Sequence, residues 1–276
     1  MRIAIEGLAA RHPAAASGSL PALKPLTLSI ERGEQLAIIG PSGAGKTTLL
    51  HALACALKPT AGHLELDGVD PWKLPVSQLQ KLRGRLFLGP QAPPLPPRQR
   101  VITAVLAGRL PQQSLLASLR SLFYPTHIPE AQAALEKFDL AGKLWERVDR
   151  LSGGERQRVG LARALVSSAS LWLIDEPLSS LDPSRAVQAI DTLTESARAH
   201  DATLITTLHQ VDVAKRFQRV IGLRDGALQF DLPAAEVTHE RLAALYTQHE
   251  DELLGAPMTG EEKAAETPHT APLYCR

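Results

Sequence analysis

The run Gly40-Pro41-Ser42-Gly43-Ala44-Gly45-Lys46-Thr47-Thr48 decides how the rest of this chain is read. It fits the pattern G-x-x-x-x-G-K-[ST], which carries weight only between a strand and a helix. Both flanks comply: Leu36-Ala37-Ile38-Ile39 is an apolar run suited to a buried strand, and Thr48-Leu49-Leu50-His51-Ala52-Leu53-Ala54 continues as a helix. Gly40, Gly43 and Gly45 permit positive φ and a close backbone approach, so successive N–H groups and a helix N-terminus can face a polyphosphate. Lys46 is then placed to reach the β- and γ-phosphates, and the Thr47 hydroxyl to hold Mg²⁺. The plainer reading, a glycine-rich turn with a chance lysine, needs strand, glycines, Lys and Thr all to coincide.

At 276 residues the chain suffices for one large domain or for a core with a smaller insert. The formal charge of +1 provides no global field for nucleic acid or an anionic membrane surface. Cys55, in an apolar helix, and Cys275 lie far apart with no metal-ligand spacing, which predicts a reducing, cytosolic compartment. Arg2-Ile3-Ala4-Ile5-Glu6 alternates like a strand where a signal peptide would need a basic leader and an apolar run. No stretch of about 18 apolar residues occurs, so any membrane association is expected to run through another protein.

In chain order, strand patterns span Ile3 to Leu8, Leu26 to Ile30, Gln35 to Ile39 and, as an edge strand, His63 to Gly68. Leu86 to Gly89 is another short strand, and the prolines from Pro90 to Pro97 form a stiff connector. From Val101 to about Arg150 the patterns are helical: Val101 to Leu110, Ser114 to Leu122 and Glu130 to Phe138. This predicts an all-helical lobe inserted in an α/β core. Ser152 is placed to N-cap a helix running to about Val166, with Gly153 and Gly154 leaving its N-terminus open to an anion. Leu171 to Ile174 is an apolar strand ending in Asp175-Glu176-Pro177. Beside a phosphate cradle, Asp175 can hold Mg²⁺ through water and Glu176 can polarise an attacking water.

A helix from about Ser184 to Ala199 leads to the β-branched strand Thr203 to Thr207, which delivers His209 to the carboxyl end of a parallel sheet, where ligands bind. Arg219 to Leu223 and Ala227 to Phe230 form a hairpin about Arg224-Asp225-Gly226, followed by a helix from Glu240 to Tyr246. His249 to Arg276 is polar and unpatterned, a flexible tail by composition. In the loop before the second strand, His12 admits two readings: a flat ring that can stack on a base, or a solvated loop residue.

Taken together, Met1 to about Gln248 resembles an ATP-binding cassette (ABC) ATPase. Leu151 to Gln157 matches L-S-G-G-[EQ]-x-Q, which is specific to that family, and Asp175-Glu176 matches its Walker B acids. Gln91 corresponds to its Q-loop, Ser179 to Asp182 to its D-loop, and His209 to its switch histidine. The resemblance implies a P-loop NTPase core of α/β class with an N-terminal antiparallel β subdomain and an inserted helical subdomain over about 92–165. It further implies ATP and Mg²⁺ as ligands and a head-to-tail dimer. In that dimer each ATP lies between one cradle and the other copy's Ser152, Gly153, Gly154, Glu155 and Gln157, with Asp182 nearby and an aromatic near the position of His12 on adenine. Glu176, His209 and Gln91 take the catalytic roles, and Thr47, Gln91 and Asp175 the metal.

At a finer level, Leu106 to Leu110, Ser121-Leu122-Phe123, Leu208 to Asp212 and Leu223 to Gly226 resemble phosphonate importers. This implies integral permease subunits at the cytoplasmic face of the inner membrane, a periplasmic binding protein that selects the cargo, and no nucleic acid. The chain departs from the usual pattern at Pro90, where an aromatic commonly precedes the Q-loop glutamine. An exporter ATPase, or a soluble cassette ATPase acting on nucleic acid, are the competing readings; the near-zero charge disfavours the latter.

Overall fold

Strands β1 (Ile3–Ala10), β2 (Leu23–Ile30) and β3 (Gln35–Ile39) follow one another before the glycine loop, yet they do not share a sheet. The computed structural model describes residues 1–11, 21–123 and 126–247. Within them β1 and β2 join β4 (Ala61–Leu66) in a three-stranded antiparallel sheet of order β2-β1-β4, with Ile3 opposite Ile30 on one side and Leu66 on the other. The alternation in the sequence predicts the second strand from Leu26; the ladder reaches back to Leu23, opposite Ala10. Pro25 does not prevent this because β2 is an edge strand, where a missing donor breaks no pair.

β3 enters a second sheet, flanked by β7 (Thr203–Leu208) and β8 (Arg219–Arg224). β6 (Leu171–Ile174) and β5 (Leu86–Gly89) lie beyond β7, and β9 (Ala227–Pro233) closes the other edge, giving the order β5-β6-β7-β3-β8-β9. All pairs are parallel except β8 with β9, whose turn has both Asp225 (φ +51) and Gly226 (φ +74) in the left-handed region, as a type I′ hairpin requires.

The pleat of β3 divides its side chains between two cores. Leu36 and Ile38 face the antiparallel sheet with Leu49, Leu53, Leu173, Ile205 and Ile221, whereas Ala37 and Ile39 share the opposite side with Trp172, Leu204 and the helices. A strand covered on both faces reads as an unbroken apolar run, which explains the lack of alternation before the loop.

Helix α1 (Lys46–Leu53) leaves the loop, and α2 (Val76–Arg83) precedes β5. Between β5 and β6 run α3 (Val101–Leu106), α4 (Leu115–Phe123), α5 (Ile128–Glu136) and α6 (Gly153–Val166), with α6 packed on α3 and α5. The helix predicted from Val101 to Leu110 tightens after Leu106 into a 3₁₀ turn over Ala107–Gln112, where Pro111 lacks the N–H that a regular helix needs. The remaining helices are α7 (Pro183–Ala199), α8 (Val211–Ala214) and α9 (His239–Leu245). Cys55, expected within a helix, sits just past the end of α1 at φ +54; it is buried and free, and burial pushes its thiol up to about 11. The tail from His249 lies outside the described residues.

Candidate functional site

Parallel pairing brings the carboxyl ends of β3, β6 and β7 together, with Ile38 beside Thr207 and Thr206 beside Ile174. Whatever follows those strands is delivered to one edge. After β3 comes the glycine loop, with Gly40, Gly43 and Gly45 at φ +152, +78 and +96. A Cβ at Gly40 would stand 2.0 Å from the Leu223 carbonyl oxygen, so no other residue fits there. Gly45 is the N-cap of α1, and no side chain bonds to that first turn; an uncapped end presents its N–H groups to an anion. Lys46 is buried, and its Nζ donates to the carbonyls of Gly40 (2.8 Å) and Pro41 (3.1 Å), arching over the loop that Ser42 and Ala44 complete. A glycine loop wrapped around a buried ammonium suits a polyphosphate. Thr48, behind Thr47 in α1, is buried.

After β6 come the two acids. Asp175 is 6% exposed, and each of its carboxylate oxygens accepts a hydroxyl hydrogen: Oδ2 from Thr47 (2.8 Å) and Oδ1 from Thr207 (2.6 Å). A carboxylate and a hydroxyl are the hard oxygen donors that suit Mg²⁺. Glu176 has φ +44, an uncommon conformation for a side-chain-bearing residue, and its N–H donates to Thr207 Oγ1 (2.9 Å). Its carboxylate is in hydrogen-bond contact with Nε2 of His209, which β7 delivers. Burial acts to raise the Glu176 carboxyl, but the His209 hydrogen bond and the charges of His209 and Lys46 outweigh it and hold the group below the ordinary glutamate range. Glu176 is therefore charged at neutral pH. Gln91 lies two residues past β5, and the Gly89 carbonyl accepts the Asp175 N–H at 2.7 Å, so the loop begins at the same edge. Its side chain is exposed and, among the described residues, makes no hydrogen bond to Thr47 or Asp175.

The other sequence-predicted residues form a second group at α6 and α7. Ser152 Oγ accepts the Glu155 N–H (3.2 Å) and Glu155 accepts the Ser152 N–H (2.8 Å), a reciprocal capping box. The Ser152 amide, against the opposing effect of burial and with help from Lys143, holds the Glu155 carboxyl below its ordinary range. Gly153 and Gly154 lie against Ser180 and Leu181, on the loop leading to Asp182. Asp182 is itself the N-cap of α7, accepting the Arg185 N–H (3.0 Å) and the Ser184 hydroxyl (2.7 Å). Gln157, one turn into α6, is buried and lines a small apolar cavity with Gly89, Pro93 and Gly160. Pro93 is seated on Gly160, where a Cβ would come within 2.6 Å of its Cγ.

The structure thus brings Lys46, Thr47, Asp175, Glu176 and His209 together and gathers Ser152 to Glu155 with Asp182 at the starts of α6 and α7, while Gln157 lines a cavity with Gly89 and Ile174 at the ends of β5 and β6. α1 packs on β1, β6 and β7, whereas α6 packs on α3, α5 and α7 and meets the sheet at β5. Sequence reading missed Thr207, whose one signal is a threonine two positions before the histidine, inside a strand where threonine is also a good strand former. His12 lies outside the described residues.

A family model described as "ABC transporter" matches residues 23–179. The chain is 61% identical over 277 residues, with 100% of both chains covered, to a protein of Albidiferax ferrireducens named phosphonates import ATP-binding protein PhnC 2. A protein of Polaromonas sp. named phosphonates import ATP-binding protein PhnC is equally similar, again with full coverage of both chains. Among solved structures, the ATP-binding cassette MJ0796, a dimer in a post-hydrolysis state bound to ADP and Pi, superposes with a TM-score of 0.71 at 26% identity. That match covers 84% of this chain and 98% of the other. The fold is also that of cbiO1 from Clostridium perfringens, part of the cbiONQ transporter complex, at a TM-score of 0.70 and 23% identity, covering 89% and 94%.

Proposed function

The chain belongs to the ABC transporter family, and we propose that it is the ATP-binding and ATP-hydrolysing subunit of an importer for phosphonate or a related phosphorus oxyanion, phosphite or a phosphate ester. The convergence of Lys46, Thr47, Asp175, Glu176 and His209 on one sheet edge carries the enzymatic half of this reading. Full-length similarity to proteins named for phosphonate import supports the cargo.

The loop amides from Gly40 to Thr48 and the Lys46 ammonium bind the β- and γ-phosphates of ATP. Thr47, Asp175 and Gln91 would hold Mg²⁺, which when bound offsets the charge on the phosphate oxygens. Glu176, already charged, takes the proton of the water that attacks the γ-phosphate, and His209 orients its carboxylate. Ser152, Gly153, Gly154, Glu155 and Gln157 close over the ATP of a second copy arranged head to tail, with Asp182 lining the seam and His12 stacking on adenine. The positive end of α6 suits that task.

Residues 1–248 act as one ATP-binding domain, whose helical part over about 92–165 meets the permease, and 249–276 form a tail. The subunit works peripherally at the cytoplasmic face of the inner membrane. Among the described residues no helix is long and apolar enough to cross a membrane, so the permease supplies the path. A periplasmic binding protein selects the cargo. In a strain lacking this chain and growing on methylphosphonate or phosphite as its phosphorus source, the wild-type gene restores growth and the Glu176→Gln gene does not. Salt-sensitive binding to DNA or RNA, with no permease copurifying, overturns the importer reading.

A further inference from the structure

We propose that Thr207 is a positioning residue for hydrolysis, whose hydroxyl joins Asp175 and Glu176 into one rigid unit and so aims the general base. The inference rests on the assignment of Glu176 above. Thr207 is fully buried, and a threonine hydroxyl has a single hydrogen. The Glu176 amide can only donate, so the hydroxyl must accept from it at 2.9 Å and spend its own hydrogen on Asp175 Oδ1 at 2.6 Å. Its orientation is thereby fixed by elimination. With Thr47 on Oδ2, both oxygens of Asp175 are restrained, which sets the plane of the carboxylate.

Glu176 has more need of restraint than Asp175. At φ +44 its backbone is in a sparsely populated region, and such conformations persist only where the surroundings over-determine them. Two restraints act here: the amide bond to Thr207 and the contact of its carboxylate with His209. The hydroxyl content of β7 is not the cause. Thr206, equally buried and next in the chain, has a hydroxyl with no hydrogen-bond partner. Loss of the Thr207 hydroxyl leaves a buried carboxylate oxygen and a half-buried amide without this partner, and frees Glu176 to relax toward an ordinary φ.

Thr207→Val keeps the branched shape and deletes the hydroxyl, Thr207→Ser keeps the hydroxyl, and Thr206→Val controls for packing. In the intact transporter, Thr207→Val is expected to lower kcat for ATP about 10- to 100-fold with KM nearly unchanged, as loss of a supporting partner does. Thr207→Ser is expected to recover most of it and Thr206→Val to match wild type. A second readout is the half-saturation of Mn²⁺ in the presence of a non-hydrolysable ATP analogue, followed by electron paramagnetic resonance; it rises in Thr207→Val and not in Thr206→Val. Wild-type kcat and Mn²⁺ binding in Thr207→Val, a loss equalled by Thr206→Val, or no recovery by Ser each overturn the proposal. If Thr207→Val does not fold, Thr207→Ala and Thr207→Ser, which differ only by the hydroxyl, decide in the same way. Glu176→Gln run alongside separates the two readings: if it is inactive while Thr207→Val is not, only the positioning role falls, and if it turns over at the wild-type rate, the assignment of Glu176 falls with it.

Discussion

Two helices in this protein have a glycine at or just before their first residue, and their ends are finished in opposite ways. α1 is preceded by Gly45 as its N-cap, with no side chain on its first turn and a buried lysine folded over the loop. α6 is capped by Ser152 and satisfies its own end twice over through the box between Ser152 and Glu155. A helix leaves about four N–H groups unpaired at its start; side chains of its own meet part of that need at α6 and none does so at α1, whose end suits an anion. The difference teaches that a binding end and a docking end need different chemistry. On the proposed function α6 docks on a second copy and is released after every cycle, and such an end cannot depend on its partner for its hydrogen bonds.

The largest break in this comparison comes from Glu176→Gln, which touches neither end. Turnover should fall by about 10²- to 10⁴-fold, the usual worth of a general base, and unhydrolysed ATP should hold two copies together. Size-exclusion chromatography in Mg-ATP then shows a dimer; a monomer with ATP bound would dissolve the pairing of the two ends. Next in size is Lys46→Ala at the binding end. A hydrogen bond to a charged group contributes about 1.5–3 kcal/mol, so calorimetry should show ATP affinity lower by roughly 10- to 100-fold. Unchanged affinity contradicts the cradle.

Ser152→Ala should do the reverse at the docking end. Lost capping costs about 1 kcal/mol in urea unfolding, single-chain ATP affinity stays the same, and the ATP-held dimer weakens. The smallest effect is acid dependence. The Glu155 carboxyl is held below its ordinary value of 4.5, so its contribution to stability is present above that pH and lost as pH falls through the depressed folded value. Glu155→Gln should melt below wild type at neutral pH, with the gap narrowing in acid; a gap that widens in acid removes the carboxylate from the cap.

The sequence disclosed most of the binding edge because its chemistry is local. Gly40 to Thr47, the acids after Leu171 to Ile174, and His209 after a β-branched run each carry a signal in a few consecutive residues. Thr207 was invisible because its role depends on a neighbour, β6, that only the sheet brings alongside. In the same way, the reach of β2 back to Leu23 follows from its place at an edge, which a proline inside the run conceals. The end of α3 at Leu106 is not legible in the Leu and Ala spacing, which continues to Leu110, whereas Pro111 lacks the N–H a regular helix needs and Gly108 is seated against the Arg163 carbonyl of α6. Long-range partners decide such details, and periodicity does not report them.

The seat of Pro93 on Gly160 has a consequence for how this gene can vary. Neither position can drift alone: a methyl at 160 meets the proline ring, and a smaller residue at 93 leaves a gap against α6. A substitution at either position should therefore be felt at the other, which ties the loop opening at Gln91 to the helix opening at Ser152 although long stretches of chain separate them.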